Sequence, residues 1–221
     1  FLNQTLDSFI CDEAVMKKFE VIVVDDGSKD NTAKIGKEYA DKYPDTFRVI
    51  SKENGGHGST INCGIRNAVG KYFKVVDGDD WVNTADFVKL VEDLEKTESE
   101  YVFTNYYEYY DDVNRQKAVD FPQFKDGTEY DFADVANKVY IPMHALVIKT
   151  SVLKDNNIVI DEKCFYVDVE YVMFPVPFVN KVTFFDLHVY MYRLALSTQS
   201  VSILGFQKHI NDHLRVTFHM F

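Results

Sequence analysis

Three cysteines, one tryptophan and five prolines in 221 residues leave little material for several common architectures. Cys11, Cys63 and Cys164 are odd in number, far apart and in no metal-ligand spacing, which argues against a disulfide framework and points to free thiols in a reducing compartment. No apolar run approaches the roughly 18–20 residues that a membrane span needs, and no signal peptide is visible. No Pro/Gly/Ser-rich linker divides the chain, and no repeat or low-complexity segment appears. Positive charge is also scarce: 24 Lys and Arg against 35 Asp and Glu give a formal net charge of −11. Nucleic acid as the main partner would demand a basic patch, so the composition argues against it. A phosphate-bearing ligand stays compatible, provided that a divalent cation neutralises the site locally.

What is present is an ordinary globular mixture, 46% hydrophobic and 27% charged, at a length that fits a single domain over residues 1–221. Phe19 to Val24 is a short β-branched apolar run ending at Asp25-Asp26-Gly27-Ser28, and suits a strand buried on both faces. Ser28 or Asp30 then caps a helix that Pro44 closes off. Phe47 to Ile50 predicts a second strand, followed by the glycine-rich loop Asn54-Gly55-Gly56-His57-Gly58-Ser59 and a helix towards Gly70. Lys71 to Val76 predicts a third strand ending at Asp77-Gly78-Asp79-Asp80, with a helix from Asn83 to about Lys96. This alternation predicts an α/β fold with a mostly parallel central sheet flanked by helices. Further strands are expected at Tyr101–Tyr110, Met143–Ile148 and His188–Arg193, with helices at Asp168–Phe174 and Gly205–Phe221. They complete the sheet and the far wall of a cleft.

Ligands of such sheets bind beyond the carboxyl ends of the strands, where both acidic clusters and the glycine loop fall. Asp77, Asp79 and Asp80 repel one another unless something positive sits among them, and Mg²⁺ or Mn²⁺ takes one or two carboxylates together with substrate phosphates. A solvated acidic turn before the helix explains the same residues. Asp25-Asp26-Gly27-Ser28 reads either as a helix-capping turn or as a carboxylate for a nucleobase or ribose. The glycine loop lacks a P-loop pattern, and reads as a surface turn or a cradle for phosphate or ribose.

Together, Val23 to Thr32, Asn54-Gly55-Gly56, Asn62-Cys63-Gly64-Ile65 and Val75 to Asp80 resemble the successive motifs of family-2 glycosyltransferases, which have the GT-A (Rossmann-like) fold. The resemblance is strong from Phe19 to Val82 and loose beyond. It implies a nucleotide-sugar donor, commonly a UDP-sugar, with Mn²⁺ or Mg²⁺, and an inverting transfer to a hydroxyl of a saccharide or lipid-linked acceptor. It assigns residues 1–100 to the nucleotide-sugar and metal half and 101–221 to the acceptor half. Asp26 would contact the base and Asp77 the ribose, with Asn54 and His57 also on the donor, while Asp79 and Asp80 take the metal and diphosphate. The family's opening strand has no match here, so the natural N-terminus is expected upstream of Phe1. Ile61 stands where many members carry Arg. A bacterial polysaccharide or glycolipid pathway is implied, in the cytoplasm or at the inner face of the membrane.

An inverting transfer needs a carboxylate to take the acceptor's proton. The family's acidic pair before a helix resembles Val167-Asp168, which assigns the base to Asp168, with Glu170 as competitor because residues two apart on a helix face different ways. Trp81 and His144 are acceptor-side candidates, Trp81 by stacking or else as core, and His144 and Gln199–Ser202 by resemblance alone. Tyr106, Tyr107, Tyr109 and Tyr110 could line the acceptor or simply a half-buried strand. His209 and His213 have metal-pair spacing but no third ligand. A haloacid-dehalogenase-type phosphatase would want a hydroxyl residue at Trp81, and a sugar nucleotidyltransferase an Arg- and Gly-rich opening loop. The alternative from another class is a non-catalytic nucleotide-sugar-binding or scaffold module.

Overall fold

Alternation at period two in the strands, with helices between them, builds the architecture seen in the computed structural model, which describes residues 1–194 and 203–220. In chain order the elements are α1 (Leu2–Asp7), α2 (Glu13–Met16), β1 (Val21–Asp25), α3 (Thr32–Lys42), β2 (Phe47–Ser51), α4 (His57–Asn67), β3 (Tyr72–Phe73), β4 (Trp81–Val82) and α5 (Thr84–Leu94). There follow β5 (Tyr101–Tyr110), β6 (Arg115–Val119), β7 (Thr128–Asp131), α6 (Phe132–Val135), β8 (Leu146–Lys149), α7 (Thr150–Asp155), α8 (Asp168–Met173), β9 (Lys181–Leu194), α9 (Ile203–Lys208) and α10 (Ile210–His219).

The α/β class holds, but the sheet is mixed rather than mostly parallel. β1 and β2 pair in parallel across the α3 crossover, while the larger sheet runs β3-β8-β5-β9-β4 with only β5 and β9 parallel. Short returns such as the β5–β6 hairpin force antiparallel pairing, whereas a parallel neighbour needs a crossover of a dozen or more residues. The strand–helix rhythm of the first hundred residues does not continue past them. The expected strand over Lys71–Val76 shrinks to β3, and the expected terminal helix divides at His209, whose φ of −112° leaves the helical range and whose ring stacks on Phe165.

Neighbouring residues of the central strands serve two cores. Tyr101, Phe103, Leu146, Ile148 and Phe184 point to one face, against Ile61 and Ile65 of α4, Leu153 of α7 and Tyr171 of α8. Val102, Val147 and Val189 point to the other, against Leu6, Val23, Phe47 and Leu90. Each such side chain contributes about 1.5–3 kcal/mol when fully buried.

Among the described residues no strand precedes β1. Between β1, which pairs with β2 alone, and residues 72–77 lies an apolar cavity of about 630 Å³, lined by Val21, Val23, Phe73, Val75 and Val76 among others. Besides the β3–β8 and β4–β9 pairs, the two halves are joined between α4 and the segment around Ile160. Asn62 pairs both ways with the backbone of Ile160, donating to its carbonyl at 2.8 Å and accepting from its amide at 2.8 Å. Gly58 lies so close to the same segment that a Cβ on it would sit 1.9 Å from the Asp161 carbonyl oxygen.

Gly58→Ala should therefore destabilise the fold by about 1–3 kcal/mol, the usual cost of overpacking. A urea midpoint equal to that of the parent would show that α4 and the 160–163 segment are not held together there.

Candidate functional site

The apolar run of β1 delivers Asp25 and Asp26 to its carboxyl end. Asp25 turns inward and accepts the Ser28 amide at 3.0 Å, closing the turn. Asp26 reaches across to the glycine loop and accepts from the Gly55 and Gly56 amides at 2.9 and 2.8 Å and from Lys52 Nζ at 2.7 Å. Burial alone would push its pKa up, but the lysine and the two amides outweigh burial and hold it below the usual carboxylate range. Asn54 Nδ2 donates to the Asp26 carbonyl at 3.0 Å. Gly56, at φ +80°, turns the chain into α4 in a conformation that disfavours other residues. Lys52, which the sequence did not single out, is the cation of this corner.

His57 opens α4 and faces the second acidic cluster, its Nε2 3.1 Å from Asp77 Oδ1. Each carboxylate of that cluster is handled differently. Burial would raise the pKa of Asp77, yet His57 and His144 bring it below the ordinary value. Asp80 is buried; it accepts the Tyr190 hydroxyl at 2.6 Å and the Arg193 amide at 2.7 Å, and burial together with Asp77 pushes its pKa up to about 8. No side chain among the described residues bonds the carboxylate of Asp79, which is raised by burial and by Asp77. Asp77, Asp80 and His144 each offer an oxygen or nitrogen within 4.8 Å of the others. The expected metal pair was Asp79 and Asp80, so the geometry adds Asp77 and His144 to the candidate ligand set.

Asp168 begins α8 after Tyr166, whose φ of +64° marks a sharp turn of the chain. Burial raises its pKa and His57 opposes the rise. The carboxylates of Asp77, Asp79 and Asp168 all act on His57, and raise its pKa against the effect of burial. Four of the residues named from the sequence thus converge from both halves of the chain. Glu170 does not join them. It is fully buried, accepts the Asp161 amide at 2.7 Å and lies 3.2 Å from His219 Nδ1, so it braces the segment that presents Asp168.

Trp81 packs against other side chains of the protein. Its ring covers the Arg193 guanidinium at 4.6 Å and meets Tyr109 edge-on, while Arg193 Nε donates to the Asp79 carbonyl at 2.8 Å. His144 does border the site, stacked 3.8 Å from the Tyr192 ring, and burial lowers its pKa to about 4. His209 and His213 pack on Phe165 and Tyr166. Gln199–Ser202 lies outside the described residues. Tyr190, Arg193 and Lys74 escaped sequence reading. The amine of Lys74 donates to the carbonyls of His144 and Leu146 at 2.7 and 3.1 Å, and burial brings its pKa down to about 7. No local motif marks these residues, because long-range strand pairing brings them in.

Residues 1–156 match the profile of Glycosyl transferase family 2. The chain is 36% identical over 107 residues to the uncharacterized glycosyltransferase EpsJ of Bacillus subtilis, a match covering 48% of this chain and 30% of EpsJ. It is 26% identical over 218 residues to the cholesterol galactosyltransferase of Borreliella burgdorferi, covering 91% of this chain and 60% of that protein. It therefore spans less than two thirds of these curated relatives. Among solved structures, S. aureus TarS 1-349 in complex with UDP-GlcNAc superposes with a TM-score of 0.77 at 20% identity, over 99% of this chain and 62% of that one. The mannosyltransferase PcManGT of Pyrobaculum calidifontis, in complex with GDP-Man and Mn²⁺, superposes with a TM-score of 0.67 at 16% identity, over 99% and 60%. At these identities the structural likeness establishes a common fold. No described helix is long and apolar enough to cross a membrane.

Because the folded pKa of His57 lies above its ordinary value, its proton adds stability that is fully present below about pH 6.5. That stability is lost as the pH rises through the folded value. Without divalent cations, His57→Gln should remove this alkaline fall in the unfolding midpoint. Parent and variant curves of the same shape would mean that the His57–Asp77 contact does not form in solution.

Proposed function

This chain belongs to glycosyl transferase family 2, and we propose that it transfers a sugar, with inversion, from a nucleoside diphosphate donor to an acceptor hydroxyl. The observation that carries this reading is the convergence of His57, Asp77, Asp79 and Asp168. Asp168 acts as the base. The acceptor oxygen forms its bond to the anomeric carbon as the bond to the diphosphate breaks, the diphosphate keeps the electron pair, and the acceptor proton passes to Asp168. The buried setting of Asp168 supports this role, since it raises the affinity of the carboxylate for a proton.

Asp26 and the glycine loop hold the nucleoside end of the donor, with Asn54 fixing the loop, and His57 steadies Asp77 towards the ribose. The residues present suit a divalent cation: Asp79 offers an uncommitted carboxylate, and Asp77, Asp80 and His144 have converging donor atoms. A bound Mn²⁺ or Mg²⁺ would stabilise the charge of the departing diphosphate. UDP-sugars are the first donors to try, because TarS was crystallised with UDP-GlcNAc. A cytoplasmic location and a role in building a cell-surface polysaccharide or glycolipid go with the reading.

One observation favours the second reading, a donor-binding module without transfer. Both carboxylate oxygens of Asp26 are already bonded within the loop, so a base contact requires it to exchange partners. Mn²⁺-dependent hydrolysis of a nucleotide-sugar would exclude this alternative.

Asp168→Asn should keep donor-induced thermal stabilisation and lower transfer by about 10²–10⁴-fold. Unchanged transfer would remove Asp168 from the role of base. Asp79→Ala should weaken the dependence of donor binding on Mn²⁺, and an unaltered titration would move the cation to other ligands.

A further inference from the structure

We propose that Lys74 is a positioning residue for the cation: it clamps the turn that carries His144 and so holds that imidazole beside Asp77 as a nitrogen ligand. The inference rests on the cation-assisted reading above, and adds a ligand and the group that sets it. Lys74 follows β3 directly, and the β3–β8 ladder ends at the pair of Phe73 and Ile148. Before β8 the chain folds into a tight turn, in which the amides of Ala145 and Leu146 both donate back to the Pro142 carbonyl, at 3.0 and 3.2 Å. The Lys74 ammonium takes over where the backbone ladder stops, donating to the carbonyls of His144 at 2.7 Å and Leu146 at 3.1 Å. Asp77 lies three residues further along the same segment. One side chain thus ties the segment that delivers Asp77 to the turn that delivers His144.

An ammonium is an expensive clamp, because taking a charge out of water without a counter-ion is costly. No carboxylate among the described residues pairs with Lys74, whose Nζ lies 5.2 Å from the centroid of the Tyr190 ring. Packing alone would be served by an apolar side chain. What the ammonium adds is direction: it fixes the peptide planes that follow His144 and Leu146 at the same time.

The ring of His144 is held as firmly as its backbone. It stacks 3.8 Å from the Tyr192 ring at an interplanar angle of 28° and 5.8 Å from the Tyr106 ring at 29°, and meets Tyr190 edge-on at 5.0 Å. Neither of its nitrogens is hydrogen-bonded among the described residues. One nitrogen, an Asp77 oxygen and an Asp80 oxygen all lie within 4.8 Å of one another. Tyr190 connects these parts, its hydroxyl donating to Asp80 at 2.6 Å and accepting the Asp77 amide at 3.2 Å. A ring locked on its faces, with its nitrogens uncommitted and carboxylates opposite, is preset as a metal ligand. Such ligands are oriented by groups that do not touch the ion, and Lys74 is the group that does so for the backbone of His144. Mg²⁺ takes oxygen ligands, whereas an imidazole donor suits a transition-metal ion, so Mn²⁺ is the probe.

Electron spin echo spectroscopy of bound Mn²⁺, alone and with UDP, reads the ligand directly, because a coordinated imidazole nitrogen modulates the echo. The parent should show nitrogen coupling that isotope-labelled histidine alters, that His144→Gln abolishes and that His57→Gln leaves in place. Lys74→Met, similar in length but unable to donate, should weaken or remove the coupling and lower Mn²⁺ affinity by about 10–100-fold. Lys74→Arg, which keeps the donors, should restore both. Lys74→Gln, one atom shorter, should move both readouts in the same direction as Lys74→Met, and stands in for it should the methionine variant fail to fold. Coupling that survives His144→Gln, or parent-like coupling and affinity in folded Lys74→Met or Lys74→Gln, would overturn the proposal. Mn²⁺ bound by the parent without nitrogen coupling sinks the His144 ligand alone. No Mn²⁺ bound by the parent, with or without UDP, sinks the cation reading on which it rests.

Discussion

Three carboxylates within four residues are the constraint around which the site is organised. Asp77, Asp79 and Asp80 repel one another, and the fold tolerates them by giving each a different electrostatic fate. Asp77 receives an imidazole from α4, and Asp80 a phenol and an amide from β9, while the carboxylate of Asp79 bonds no side chain among the described residues. The partners come from opposite ends of the sequence, so the cluster is assembled only when β4 pairs with β9 and α4 docks against the sheet. Folding energy from two apolar cores thus holds like charges together. That arrangement is costly in isolation and useful where a cation and a diphosphate arrive together.

Besides the β3–β8 and β4–β9 pairs, the two halves meet in a close seam between α4 with its preceding loop and the 160–163 segment. Asn62 grips Ile160, Gly58 admits the Asp161 carbonyl, and the Lys163 amide donates to the Gly55 carbonyl at 2.6 Å. The glycine loop and the segment that leads to Asp168 share one packed seam, with Glu170, His219 and Arg215 fastening its far side. Such a seam has few rotatable parts, which suits groups that must keep their spacing while substrates come and go.

Much of this was legible in the sequence wherever chemistry is local. The run ending at Asp25-Asp26, the glycine loop and the Asp77–Asp80 cluster each declare a strand end, and the structure puts them on one rim. Helical geometry allowed only one of Asp168 and Glu170 to face the cleft, the family resemblance favoured Asp168, and the buried bonds of Glu170 now give its place. What was hidden depends on pairing between distant strands. Nothing around Arg193 announces that its amide will meet Asp80 while its guanidinium lies under Trp81, so a tryptophan beside an acidic cluster read equally as a sugar platform or as core. The sheet direction failed for the same reason, since strand–helix alternation speaks for its own segment and not for the hairpins after it.

The cavity between β1 and residues 72–77 has a consequence for how the chain behaves in bulk. Two strand edges with unfilled backbone hydrogen-bonding capacity face each other across apolar walls. An open edge of that kind is a template for any extended apolar segment in its neighbourhood, including one from a second molecule. Such an edge gives association at high concentration a route that surface charge alone does not close.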